Sequence, residues 1–346
     1  MTATSTLRRF SAFGHFAYGA ARRIGFRLSF VVAVLGLFST TSLAEKEEIV
    51  ARTVATGRFT VATKILAIPA RRQWDENDGY CAETCIQSVA MYYGTYVSQY
   101  RIRAMIDPDQ QNEVLIGEDE DVVLDNLRMT YEQWDYDEQP TPQFESYLAW
   151  TKQQISNGYP VIGTVFMKGE SDPDYDHVLP FVGFESAHDT TGYYGDDKLI
   201  FYDNHSRNQF SRSFSTMYAS RLQTNEGTND YCIPEKLDYG CSITGVVDLR
   251  HETVPVQLSV DRWDEPDVVA GQKPAAMHGT LTFKSLVPGK KYSLLRYDDY
   301  RKVPEAEFLA KGGYVWRHEF TAADATQTFT DDFMSDGCVI YRCIAE

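Results

Sequence analysis

The period of the apolar positions changes twice along this chain. Between Gly79 and Tyr93, Cys81, Cys85 and Val89 fall on one helical stripe, with Ala82, Ile86 and Ala90 beside it. Asn77 or Asp78 is placed to cap this helix and Gly94 to stop it. Helical spacing returns at Val123, Leu124 and Leu127, inside the strongly acidic stretch 106–138. A further helix is predicted from about Gln143 to Ser156, with Phe144, Leu148 and Ile155 inward and Asn157-Gly158 as its end. The period then shortens. Pro160–Phe166, Val178–Phe184 and Leu199–Tyr202 are short apolar runs broken by polar turns, which predicts a sheet. A leading strand or ordered arm is expected within 45–70, around Phe59-Thr60-Val61 and Ile65-Leu66-Ala67. Helices followed by strands describe an α+β domain over 45–248. From about Leu249 the helical signal disappears. Val256–Val260, Leu281–Phe283, Tyr292–Leu294, Tyr314–Trp316 and Val339–Tyr341 alternate with polar residues, punctuated by Pro288-Gly289 and Gly312-Gly313. This predicts a separate small β-sandwich domain over 249–346.

Residues 1–44 follow neither pattern. They carry five arginines (Arg8, Arg9, Arg22, Arg23, Arg27) and no acid, then an apolar run from Leu28 to Phe38 and small residues ending at Ala44. That order describes a secretory signal peptide, or a signal anchor if it stays uncleaved. The expectation is therefore a secreted protein, membrane-attached only through this segment. Its removal takes the net charge from −16 to −21. So acidic a chain repels phosphate backbones and anionic lipid, which argues against nucleic acid as a partner. The balance of 43% hydrophobic and 24% charged residues is that of a globular protein with a sizeable core.

Six cysteines in a secreted chain suggest disulfides. Cys232 with Cys241 is the readier local pair. Cys338 with Cys343 is weaker, because an odd separation on one strand points the side chains to opposite faces. Cys85, on the core stripe of the first helix, is expected to be a buried, inert thiol. Cys81 is different, since it opens that helix. A thiolate there is stabilised by the helix dipole and by unpaired N–H groups, which also face a developing oxyanion, so a lowered thiol pKa is expected. Gln73, on the preceding loop, can supply a second oxyanion donor. His177 stands at the start of an apolar strand after an acidic turn, placed to accept the thiol proton and held charged by those acids. Asp203 ends the next apolar run and Asn204 follows it. Either can orient the imidazole, and Asp203 is preferred. Asn204-His205-Ser206 is also a glycosylation sequon, expected to be unused or to point away. Cys81, Cys85 and His177 lack the paired spacing of a zinc site, and Gly117–Asp121 lacks that of a calcium loop, so no metal or cofactor is expected.

Gln73-Trp74-Asp75, Gly79-Tyr80-Cys81, Tyr92-Tyr93-Gly94, Gly158-Tyr159-Pro160-Val161-Ile162, His177-Val178-Leu179-Pro180-Phe181-Val182-Gly183-Phe184 and Tyr202-Asp203 occur in this order. Together they resemble the papain-like cysteine peptidase superfamily, in the branch of the leader-peptide-processing domains of bacteriocin exporters. The resemblance spans about residues 60–210. It implies a papain-like helix-plus-antiparallel-sheet domain with Cys81 as nucleophile, His177 as general base, Asp203 as orienting residue and Gln73 in the oxyanion hole. That branch usually has glycine where Ala82 follows the nucleophile here. The expectation is a secreted cysteine peptidase-like hydrolase that forms an acyl-enzyme on a peptide or protein substrate. The alternatives are an inactive papain-like binding or adhesion protein, and an amidase or transpeptidase of the same fold.

Overall fold

The computed structural model describes residues 61–74, 79–134, 136–167, 176–225, 230–233 and 239–346. The expected signal segment 1–44, the cap candidates Asn77 and Asp78, and the acidic turn ahead of Asp176 lie outside the described residues. Among the described residues no helix is long and apolar enough to cross a membrane.

The chain is α+β, with antiparallel sheets. Strand β1 (Ala62–Ile65) leads into helix α1 (Cys81–Tyr92), β2 (Thr95–Val97), α2 (Gln99–Arg103), α3 (Glu120–Asn126), β3 (Met129–Trp134) and α4 (Phe144–Ser156). Strands β4 (Val161–Phe166), β5 (Asp176–Ser186), β6 (Lys198–Tyr202) and β7 (Gln209–Ser213) follow, then short α5 (Phe214–Met217), α6 (Arg221–Asn225) and β8 (Gly240–Val246). All of these strands except β2 form one sheet in the order β3-β8-β4-β5-β6-β7, with β1 paired to the far part of β5. The bulge in β5 between Phe181 and Gly183 lets one strand serve β4, β6 and β1. Gly183 is required there. A Cβ at this position would stand 2.5 Å from the Lys64 carbonyl oxygen, so any side chain would push β1 off the sheet.

Residues beyond 248 add β9 (Thr253–Val254), β10 (Val256–Val260), β11 (Ala276–Phe283), β12 (Lys291–Tyr297), α7 (Phe308–Lys311), β13 (Trp316–Thr321), β14 (Gln327–Met334) and β15 (Cys338–Ala345). They make a three-stranded sheet, β10-β11-β14, and a second sheet, β13-β12-β15-β2, with β9 also on β15. The second sheet is built partly from the first half of the chain, because β2 pairs with β15 from Thr95↔Ile340 to Val97↔Cys338.

The packing follows from the side-chain alternation of β15 and β12. Val339, Tyr341, Cys343, Tyr292 and Leu294 face the three-stranded sheet, in a core with Leu258, Leu281 and Phe283 that also takes in Met91 and Tyr96. Cys338, Ile340, Ile344, Leu295 and Tyr297 face the other way, into the core that contains Cys81, Cys85, Ile86 and Val89 of α1. Every residue of α1 is buried, so this helix is covered on all sides. Position 248/249 is thus not a break in packing. The described residues from Val61 to Glu346 form one compact unit, because one sheet shares its two faces between both halves.

All six cysteines are free and buried, and neither expected disulfide is present. Cys232 bridges to Phe166 while Cys241 lies opposite Ile162, at the two ends of β4. Cys338 and Cys343 sit on opposite faces of β15, in different cores.

Candidate active site

The loop before α1 is shaped by packing. Gly79 has φ +81°, and a Cβ there would collide with the Glu113 carboxylate. The Arg103 guanidinium lies 3.5 Å from the centroid of the Tyr80 ring, donates to the Gly79 carbonyl (2.6 Å) and pairs with Glu83 (2.6 Å). Tyr80 is the N-cap, and it caps without a side-chain hydrogen bond. Cys81 therefore occupies the first helical position, where backbone N–H groups have no partner inside the helix.

Three segments meet at this point, and Asn204 joins them. Its buried side-chain amide donates to the Cys81 carbonyl (3.1 Å), to the Val178 carbonyl (3.0 Å) and towards the Cys85 sulfur (3.4 Å). The Gln73 backbone N–H donates to the Asn204 carbonyl at 2.9 Å. The sequence-predicted set Gln73, Cys81, His177 and Asp203 is brought together around this residue. The amide of this sequon asparagine is engaged inside the protein rather than pointing away from the site.

His177 is the second residue of β5, paired opposite Val165, and fully buried. Its Nε2 lies 3.5 Å from Asp203 Oδ1, so Nδ1 is the nitrogen on the other edge of the ring. The next residue, Val178, is hydrogen-bonded through its backbone to the Cys81 thiol. Asp203 is held in turn by the Tyr231 hydroxyl, which donates to Oδ2, and by the His205 N–H, which donates to Oδ1 at 2.9 Å. Tyr231 carries φ +57°, an uncommon backbone for a bulky residue and one that aims its ring at the carboxylate. The His205 ring stacks on His177 at 5.0 Å between centroids. Sequence reasoning did not find Tyr231, and nothing local marks it.

Burial sets the resting protonation. It pushes the Cys81 thiol up to about 12; the hydrogen bond with the Val178 backbone opposes the shift and nearby carboxylates add to it. Burial also lowers the pKa of His177, against the pull of Asp203. Asp203 goes the other way. Desolvation works to raise it, but hydrogen bonds from His177, Tyr231 and His205 prevail and hold the carboxyl well below the usual range. The resting state is a neutral thiol, a neutral imidazole and a carboxylate. This corrects both expectations, the lowered Cys81 pKa and the charged His177, because desolvation outweighs the helix dipole and the acids. Cys85 is buried and its pKa is raised well above the usual thiol value, again chiefly by desolvation.

Gln73 is also buried, and its Oε1 has no hydrogen-bond partner among the described residues. The loop that carries it is clamped by residues 262–265 from the second half of the chain. Arg72 N–H donates to the Trp263 carbonyl (2.9 Å), Trp74 Nε1 to the Glu265 carbonyl (3.2 Å), and Arg71 Nη1 to the Arg262 carbonyl. The Glu265 carboxylate accepts from Gln87 (2.7 Å), from Tyr96 and from the Gln99 N–H (2.8 Å), 3.8 Å from Arg71. A separate cavity of about 450 Å³, lined by Tyr80, Tyr100, Arg103, Gln110 and Val269, contains none of the four predicted residues.

No protein-family model matches this chain, and no curated protein matches it.

Proposed function

We propose that this chain is an exported thiol hydrolase of papain-like fold that acts on a peptide or protein substrate through Cys81. The observation that carries the reading is the placement of Cys81 at the first position of α1. There its thiol lies against the backbone of Val178, the residue that follows His177, and His177 Nε2 faces the Asp203 carboxylate at 3.5 Å. Because thiol and imidazole rest neutral, the proton moves during attack and no standing ion pair is needed. The Cys81 S–H bond breaks as sulfur bonds the substrate carbonyl carbon, and His177 takes the proton. The N–H groups of the first helical turn and the Gln73 amide face the oxyanion. His177 then returns the proton to the leaving amine, and water hydrolyses the thioester.

The test is turnover of a casein or peptide library by the wild type, Cys81→Ala and Cys85→Ala. The proposal expects loss in the first variant and retention in the second. Activity that survives Cys81→Ala sinks it. A second reading, a non-catalytic binding protein that keeps the same shell, is favoured by the burial of Cys81, which pushes the thiol pKa up to about 12. It predicts no turnover by any of the three proteins.

A further inference from the structure

Strands β5 and β6 carry His177 and lead to Asp203, and they are joined by a hairpin at the opposite end of the strand, about 30 Å from His177 at some 3.3 Å per residue. That hairpin gathers His188, Asp196 and Asp197, whose possible ligand atoms all lie within 4.8 Å of one another. His188 Nε2 is 3.0 Å and 3.2 Å from the two oxygens of Asp196. Asp197 is 1% exposed, and its Oδ1 has no hydrogen-bond partner among the described residues. Its other oxygen is bound by the buried ammonium of Lys152 at 2.5 Å. A buried carboxylate oxygen left without a donor is costly and points to a missing partner.

We propose that His188, Asp196 and Asp197 bind a divalent cation of the zinc class, which fastens the β5–β6 hairpin. The spacing fits this ion. Bonds of about 2.0–2.1 Å at tetrahedral angles put ligand atoms roughly 3.3 Å apart, close to the His188–Asp196 separation. The charge fits as well. Asp189, Asp196 and Asp197 set against Lys152 leave two negative charges on the cluster. Asp189 is not a ligand, because its carboxylate already accepts from Thr191, Gly192 and Tyr194. The His188 ring is held in place by Tyr194, stacked at 4.0 Å between centroids. An imidazole nitrogen with two carboxylates selects zinc-like ions over calcium, which takes six or more oxygens. Three protein ligands leave the fourth position to water.

The experiment follows thermal unfolding of the metal-stripped full chain with and without zinc or calcium, in the wild type, His188→Ala, Asp196→Asn and His205→Ala. Asp197→Asn is avoided, since it leaves Lys152 buried beside a neutral partner. Zinc at a hundredfold excess over its dissociation constant is expected to raise the midpoint by about 4 °C in the wild type and in His205→Ala. The two hairpin variants are expected to show no such rise. The absence of any zinc shift in the wild type overturns the proposal. So does a shift that survives in His188→Ala but is lost in His205→Ala, which places the ion at the His177, Asp203 and His205 cluster instead. A larger shift with calcium than with zinc overturns the assignment of the ion.

Discussion

Replacing Tyr231 with Phe removes one hydroxyl and leaves the ring, which makes it a direct probe of how Asp203 is held. The lost hydrogen bond goes to a carboxylate that is largely buried and stays charged, and such bonds contribute about 1.5–3 kcal/mol. For a unit of roughly 300 residues, an unfolding entropy near 2.1 cal/mol/K per residue turns about 2 kcal/mol into a midpoint about 3 °C lower. The pH dependence gives the finer test. The folded pKa of Asp203 is depressed, so its contribution is fully present above the unfolded value of about 3.9 and is lost as pH falls through the folded value. Tyr231→Phe raises the folded pKa towards the unfolded one. The unfolded value is common to both proteins, so the gap between wild type and variant is expected to be full at pH 6–7. It narrows only as pH falls through the variant's own, still depressed, folded value, below the usual carboxylate range. Thermal unfolding by circular dichroism over this range measures it. A gap under 0.5 °C at neutral pH would refute the assignment of Tyr231 as the support of the carboxylate.

Asn204→Ala leaves the Cys81 and Val178 carbonyls without their shared donor and is expected to cost about 1–3 kcal/mol in urea unfolding; if Asn204 is only a surface sequon residue, stability stays within 0.5 kcal/mol. Glu265→Ala strips Arg71, Gln87 and Tyr96 of a common buried partner and is expected to cost about 3–5 kcal/mol by the same assay, as breaking a buried ion pair does. A chain ending at residue 248 loses one wall of the core around α1 and is expected to be insoluble or digested by trace protease within minutes, whereas a separate first domain would survive intact.

The elements that were legible in the sequence are those whose burial matches one period. Helices α1 and α4 and strands β4 to β6 fall close to the predicted ranges because their apolar positions are continuous or strictly helical. Strand β3 was hidden by its acidic surroundings, and β14 by its largely polar sequence, in which only one residue is buried. The two-domain reading failed at β15. Cys338-Val339-Ile340-Tyr341-Arg342-Cys343-Ile344 is buried throughout, the mark of a strand covered on both faces, whereas an alternating pattern implies one wet face. At the site, Cys81, His177 and Asp203 were legible because each stands at or near the end of an element. Tyr231 comes from a distant segment, reaching the carboxylate through a backbone conformation that no local pattern encodes. The direction of the Cys81 and His177 shifts was missed for the same reason, since depth of burial is a property of the whole fold.

The central claim is that Cys81, assisted by His177, is the nucleophile. Its most direct test is reaction with a peptidyl vinyl sulfone at pH 7, followed by peptide mapping of the adduct. The expected result is a single adduct on the Cys81 sulfur, slowed at least about a hundredfold in His177→Ala, in line with the contribution of a positioned base. An adduct on Cys85, or a rate at Cys81 indifferent to His177, would contradict it.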